Sequence, residues 1–333
     1  MIDLRRLERI ELHPKPLLQR LIARLLLTPN YRQPWSPTKI VVEGIERVPS
    51  GGGAILVMNH TDRYNYWPFQ YALCRDGRGY TATWVKGKYY ENAFLGWFMD
   101  ATNNIPIPSR GYVLTKDFQR AIGRVPTDAE YAALKALTDG APGAIDERAA
   151  IEAGGEAVAR LIDSPVADGE RWLASFERRF EAMMARVVEL NRQALALGLH
   201  LLIFPQGTRS IRLTEGHAGA AQIALHLGAA VVPIGCNGSD RCYPGGAPWS
   251  RGGTIVYRVG EPLRSDAGGE LAPFVPPEPF APFTRGAERF ADRFRGATEV
   301  MMRRIDGLLD ERYRFAGDTA PDGAPPTGAK RFV

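Results

Sequence analysis

The 333-residue chain reads as an α/β protein. It should hold a central mixed, largely parallel sheet flanked by helices, with an N-terminal amphipathic helix and a helical insertion. Three observations predict this. Short continuous apolar runs at 54–58, 199–204 and 229–235 have the length of strands buried on both faces. They alternate with segments whose apolar residues recur every three or four positions. No apolar run approaches the roughly 18–20 residues that a membrane-spanning helix needs.

Taken in order, the first element is 15–27. Leu17, Leu18, Leu21, Ile22 and Leu25 fall at helical spacing, with Lys15, Arg20 and Arg24 among them. Such a short basic amphipathic helix packs either on a core or on a membrane surface, and Pro29, Pro34 and Pro37 should close it. Residues 39–43 are strand-like. Gly51, Gly52 and Gly53 then turn the chain into the apolar strand 54–58, with Asn59 and His60 at its C-terminal end and a helix expected to begin at His60. Residues 80–85 form another short strand and 94–99 a short helix or turn, followed by the proline-punctuated stretch from Ile105 to Pro108. From 112 to 197 the pattern is mostly helical. Trp172, Phe176, Phe180, Met183, Val187 and Leu190 predict one long helix over about 169–197, capped by Gly198. The Ala-, Gly- and acid-rich stretch 138–168 reads as an insertion whose order the sequence leaves open. Further strands follow at 199–204, 229–235 and 254–259, the last nearer an edge. Residues 261–284 are proline-rich and irregular, and 284–313 is helical again.

The domain reading follows: an N-terminal helical segment (1–37), the main domain (38–262, with the insertion at about 112–190), a C-terminal linker and helix (263–315), and a tail (316–333) whose Gly, Pro and Ala content predicts disorder. Hydrophobic residues at 45% and charged residues at 24% suit a globular chain. The formal charge of +5 favours anionic partners. Nucleic acid is not among them, because the chain lacks zinc-finger spacing, an aromatic-interleaved basic run and a recognition helix. Cys74, Cys236 and Cys242 make no disulfide framework, and the N-terminus carries no signal-peptide pattern. No paired His or Cys spacing suggests a metal. No Gly-x-Ser-x-Gly elbow suggests a serine hydrolase.

Four segments carry the chemistry. They are Asn59-His60-Thr61-Asp62-Arg63-Tyr64-Asn65, the run from Gly96 through Ile105-Pro106-Ile107-Pro108-Ser109-Arg110, Phe204-Pro205-Gln206-Gly207-Thr208-Arg209-Ser210, and Val232-Pro233-Ile234. In this order they resemble the glycerolipid acyltransferase family, which includes lysophosphatidic acid and glycerol-3-phosphate acyltransferases. The likeness spans roughly 38–240. It implies that His60 is the general base, that the residue at 65 orients it, and that Arg209 and Arg110 hold a phosphate with the backbone of Gly207 and Thr208 beside them. It also implies that 232–234 lines the acyl pocket, with His217 as a possible extension of the phosphate site. The chemistry fits, since transfer of an acyl group from a thioester to an alcohol needs a base for the hydroxyl proton, and guanidinium matches phosphate geometry.

Two positions depart from the family pattern, which has acids at 65 and 206. Asn65 accepts a ring N–H bond but supplies no charge. Gln206 keeps the shape of a glutamate without its charge. Asp62 could replace the missing carboxylate or cap the following segment. The resemblance therefore implies a fatty acyl transfer from acyl-CoA or acyl carrier protein to a lysophospholipid-type acceptor. It implies no other cofactor, and attachment to an anionic membrane surface at its cytoplasmic side. The alternative is a catalytically impaired member that binds an anionic lipid or an acyl donor.

Overall fold

The computed structural model describes residues 2–139, 145–165 and 169–315. The tail expected at 316–333 lies outside them. Seven strands form one sheet: β1 (Thr38–Glu43), β2 (Ile55–Met58), β3 (Thr81–Lys86), β4 (Asn104–Ile107), β5 (His200–Ile203), β6 (Val231–Asn237) and β7 (Gly253–Val259). Their spatial order is β1-β7-β6-β2-β5-β3-β4. All pairings are parallel except β6 with β7. The sheet is thus mixed and largely parallel, with β7 one strand in from the β1 edge.

β2 lies at the middle of this order, and all four of its residues are buried. Ile55 stands beside Leu201 of β5 on one side and Val231 of β6 on the other. The turn before β2 depends on Gly53. A Cβ there would lie 2.4 Å from the Leu199 carbonyl oxygen and 2.7 Å from Leu195 Cα, so only glycine lets this turn press against the helix end leading into β5. Pro106 was not expected in a strand. It is tolerated because β4 is an edge, pairing only with β3 among the described strands.

The helices are α1 (Leu4–Glu8), α2 (Leu17–Leu21), α3 (Thr28–Tyr31), α4 (Trp67–Arg75), α5 (Ala93–Ala101), α6 (Arg110–Ile122), α7 (Asp128–Asp139), α8 (Glu147–Ile162), α9 (Trp172–Ala196), α10 (Gly219–Leu227), α11 (Ser239–Cys242) and α12 (Ala291–Asp306). Three differ from expectation. The first helical segment does not stop before Pro29. A π-helical stretch, Ile22–Leu27, joins α2 to α3, and the Thr28 N–H reaches back to the Ala23 carbonyl. The wider turn shifts the hydrogen-bond ladder just where proline has no N–H to give. Second, α4 begins at Trp67, so His60 sits on a loop rather than a helix start. Third, the stretch 138–168, whose order the sequence leaves open, holds α8. Its apolar period is broken at Gly155, which has φ +70° and joins two helical pieces across a kink.

α9 ends as its sequence dictates. Gly198 takes φ +76°, its N–H bonds the Leu195 carbonyl, and the Leu199 N–H bonds that of Ala194, which is a Schellman closure. The flanking segments are built into the same core. Ile2, Leu7 and Ile10 from the N-terminus and Phe294, Met301 and Ile305 of α12 are buried in the main apolar cluster. Tyr313 fastens the C-terminal end, accepting from the Gly238 N–H and donating to Asp240.

Candidate active site

The strand order decides which sequence segments meet. β2, β5 and β3 are neighbours and parallel, so the residues following them emerge at the same edge. These are His60 after β2, Gln206–Arg209 after β5, and Lys86 at the end of β3.

The His60 loop is tied down at both ends by amides. Asn59 clips onto β6, its Oδ1 accepting from the Cys236 N–H at 2.7 Å and its Nδ2 donating to the Cys236 carbonyl at 3.0 Å. Asn65 is fully buried. Its Nδ2 donates to the Asn59 carbonyl at 2.8 Å, and its Oδ1 lies 3.0 Å from His60 Nδ1. The Tyr257 hydroxyl holds the Asn65 carbonyl at 2.6 Å. Because a carbonyl only accepts, the Asn65 amide has one orientation, with the NH₂ toward Asn59 and the oxygen toward the imidazole. Nδ1 therefore carries the proton. Nε2 is left with its lone pair, and no hydrogen bond from the described residues occupies it.

The imidazole stacks on Phe204, with centroids 4.0 Å apart and planes 18° apart. Burial is the main force on its titration and pushes its pKa down to about 4. The Asn65 hydrogen bond works the other way, while the charges of Arg209 and Lys86 add to the lowering. His60 is thus neutral at physiological pH. That both cations register at the ring places them in its neighbourhood.

The β5 turn is laced to the same loop. Gln206 is buried, and its Oε1 accepts from the His60 backbone N–H at 3.0 Å while its Nε2 donates to Thr214 Oγ1 at 3.1 Å. The Ser210 N–H returns to the His60 carbonyl at 2.8 Å. Gly207 has φ +66°, and a Cβ there would meet His217 Cδ2 at 2.8 Å. The Gly207 N–H is spent on the Phe204 carbonyl, so the expectation that it faces a bound anion is corrected: its contribution is the left-handed turn. That turn leaves Thr208 and Arg209 exposed. Among the described residues no carboxylate pairs with Arg209 or with Lys86.

With a half-buried, oriented imidazole near unpaired cations, the arrangement suits proton abstraction next to an anionic group. Residues 39–127 match the family model described as Acyltransferase. That stretch of the chain is similar to acyltransferases. The match includes His60, Asn65 and Lys86 and ends before the 204–210 segment. No curated protein matches the chain. Among solved structures the chain is similar to the 1-acyl-sn-glycerophosphate (LPA) acyltransferase PlsC from Thermotoga maritima, at 15% identity and TM-score 0.39, over 85% of this chain and 80% of that one. A likeness of that size carries no argument for either fold or function.

Two residues offered by the sequence are not brought to this site. Asp62 accepts from the Tyr64 N–H at 2.8 Å and from Thr61 Oγ1 at 2.9 Å, closing the loop on itself as a cap does. Burial raises its pKa, and it makes no hydrogen bond to His60. Arg110 follows β4, three strand spacings from β2, or about 14 Å along the sheet. Its guanidinium bonds Glu177 of α9 and the Thr138 carbonyl, packed over the rings of Phe176 and Phe180. Both corrections have one cause: spacing in sequence says nothing of which way a loop or strand end is turned. Val232-Pro233-Ile234 is buried in β6. Lys86 was the residue missed. Its signal was a lone cation ending an otherwise uncharged strand, Thr81 to Lys86.

Proposed function

We propose that the protein transfers a fatty acyl group from acyl-CoA or acyl carrier protein to the hydroxyl of a lysophospholipid-type acceptor, as a peripheral protein on an anionic membrane. The observation that carries this is the Asn65 amide, whose fixed orientation leaves His60 Nε2 unprotonated beside Arg209 and Lys86.

In this reading the acceptor's phosphate sits on Arg209 and Lys86, at the exposed side of the β5 turn. Its hydroxyl points at Nε2. As the oxygen attacks the thioester carbonyl, the C–O bond forms and the proton passes to Nε2. The tetrahedral intermediate then breaks its C–S bond, and the proton leaves the imidazolium for the thiolate sulfur. Asn65 holds the ring and its tautomer throughout. Gln206 fixes the loop by hydrogen bonds alone, so its missing charge costs the geometry nothing. Lys86 is held below the usual lysine range by desolvation and by the charges of Lys88 and Arg209. A second anion would relieve that repulsion. A phosphate-bearing acceptor therefore fits better than a neutral one.

The test is acyl transfer by purified protein from each donor to a panel of lysophospholipids. His60→Ala should lower turnover by about 10²–10⁴, the usual worth of a general base. Activity within a factor of two of the unaltered protein would remove His60 from that role. The low pKa of His60 and the absence of a charge at Asn65 also favour the impaired-member reading. Folded protein that binds lysophospholipid but transfers nothing from either donor would establish that reading instead.

A further inference from the structure

α5 is anomalous. Ala93 to Ala101 is apolar all round except for Asp100, a composition that belongs inside a core or a membrane. Yet among its nine residues only Gly96 is buried. Its inner side is fixed by Asp100 on Arg6 of α1 and by Phe98, which lines a narrow apolar cavity. Its outer side presents Phe94 at 68% exposure, Trp97 at 56% and Leu95 at 40%, the two aromatic rings tilted together at 5.8 Å.

α2 lies against α5. Gln19 of α2 donates to the Thr102 carbonyl at the end of α5, at 2.6 Å. The outward residues on this helix and its π-helical extension are Leu17 at 66%, Leu21 at 41% and Leu25 at 67%. The segment from 12 to 42 contains Lys15, Arg20, Arg24, Arg32 and Lys39 and no acidic residue. A second pair of exposed aromatics stands on loops bolted to this segment. Asn30 exchanges hydrogen bonds with the Pro248 carbonyl and the Ser250 N–H, which holds Trp35 and Trp249 on adjoining loops.

We infer that α2 and the outer face of α5 together form one membrane-docking surface, with the α5 aromatics as a second anchor. Its occupant is an anionic bilayer, for three reasons. Large apolar tips are set beside a segment that carries five cations and no carboxylate. The exposed aromatics include three tryptophans, the side chain that settles at the headgroup level. The narrow cavity joins the two elements beneath this face, lined by Gln19 of α2, by Ile22, Ala23 and Leu27 of its π-helical extension and by Phe98 of α5, with α4 behind them. The inference rests on the peripheral attachment proposed above and adds to it a second element, about 70 to 80 residues downstream of the first.

The experiment measures partition of the full chain onto phosphatidylglycerol-containing and pure phosphatidylcholine vesicles by sedimentation. It compares the unaltered protein with a Phe94→Ser/Trp97→Ser variant and a Leu17→Ser/Leu25→Ser variant. Each pair should weaken partition by about tenfold or more, and binding should favour the anionic vesicles and fall as salt rises. Circular dichroism verifies that both variants fold. Transfer to a short-chain, water-dispersed acceptor should be unchanged in both, and the partition readout stands whether or not transfer is seen. If the α5 pair partitions like the unaltered protein, α5 is no anchor. Equal binding to neutral vesicles would remove the anionic partner. A lipid-free dimer that the α5 pair converts to monomer would show that a second copy covers this face instead. Any of these three results overturns the proposal.

Discussion

At the scale of single residues, the site turns on the Asn65 amide. Asn65 fixes the His60 tautomer as an aspartate would, but adds no negative charge to hold the imidazolium. Burial then dominates and His60 titrates at about 4. Transfer should be nearly flat from neutral pH down to about 5 and fall with a midpoint near 4, read from the pH dependence of kcat/KM. Asn65→Asp should move that midpoint upward, because a nearby negative charge favours the protonated ring. It should also cost about 1–3 kcal/mol, since an oxygen would replace the NH₂ that satisfies the Asn59 carbonyl. A profile that does not move would mean that His60 does not govern the limb. The same shift has a stability consequence. The unfolded chain takes up a proton on this histidine near pH 6.5, and the folded chain refuses it until about 4. This contribution is therefore complete above about pH 6.5 and is lost as pH falls toward 4.

At the scale of elements, the β5 turn is the part that presents Arg209. It needs a left-handed residue at 207, with His217 close against it. Gly207→Ala should destabilise the fold by about 1–2 kcal/mol, measured by denaturant midpoint. Its effect on transfer should exceed what that loss explains, because Thr208 and Arg209 follow directly. A variant with normal transfer would mean that the turn tolerates a side chain and that Arg209 is not placed by it. The π-helical stretch belongs to the same scale. It carries the first helical segment past Pro29 and sets Leu25 outward while Leu27 turns in.

At the scale of the whole molecule, one ionic cluster ties the insertion to the C-terminal segment. Glu177 of α9 meets Arg110 at the start of α6 and Arg285 of the C-terminal segment, and both arginines also bond the Thr138 carbonyl at the end of α7. The Arg110 and Glu177 side chains are 16% and 17% exposed. Glu177→Ala would leave two arginines facing one another, and breaking such a pair should cost about 3 kcal/mol, seen as a lowered Tm. Because the cluster stands apart from His60, the KM for a short-chain acceptor should stay within about twofold at a temperature where the variant is folded. A large rise in KM would return Arg110 to the phosphate site.

The sequence by itself marked the buried strands and singled out His60 at the end of one of them. Runs such as 54–58 bury every residue, so composition alone marks them, and the loops after β2 and β5 carry their signature in consecutive residues. Local rules also settled the Gly198 cap and the length of α9. What only the tertiary structure decided was direction and company. Asp62 stands two residues from His60 along the chain and Asn65 five, yet the loop turns the nearer one back on itself and the farther one onto the ring. Arg110 and Lys86 both follow or end strands of the same sheet, yet strand order sets β4 three spacings from β2, about 14 Å, and β3 only two, about 10 Å. α5 and α2 are far apart in sequence and become one apolar face only when the chain folds. The reason is physical: periodicity reports which side of an element is apolar, whereas the partner it meets is fixed by strand order and by hydrogen bonds between distant segments.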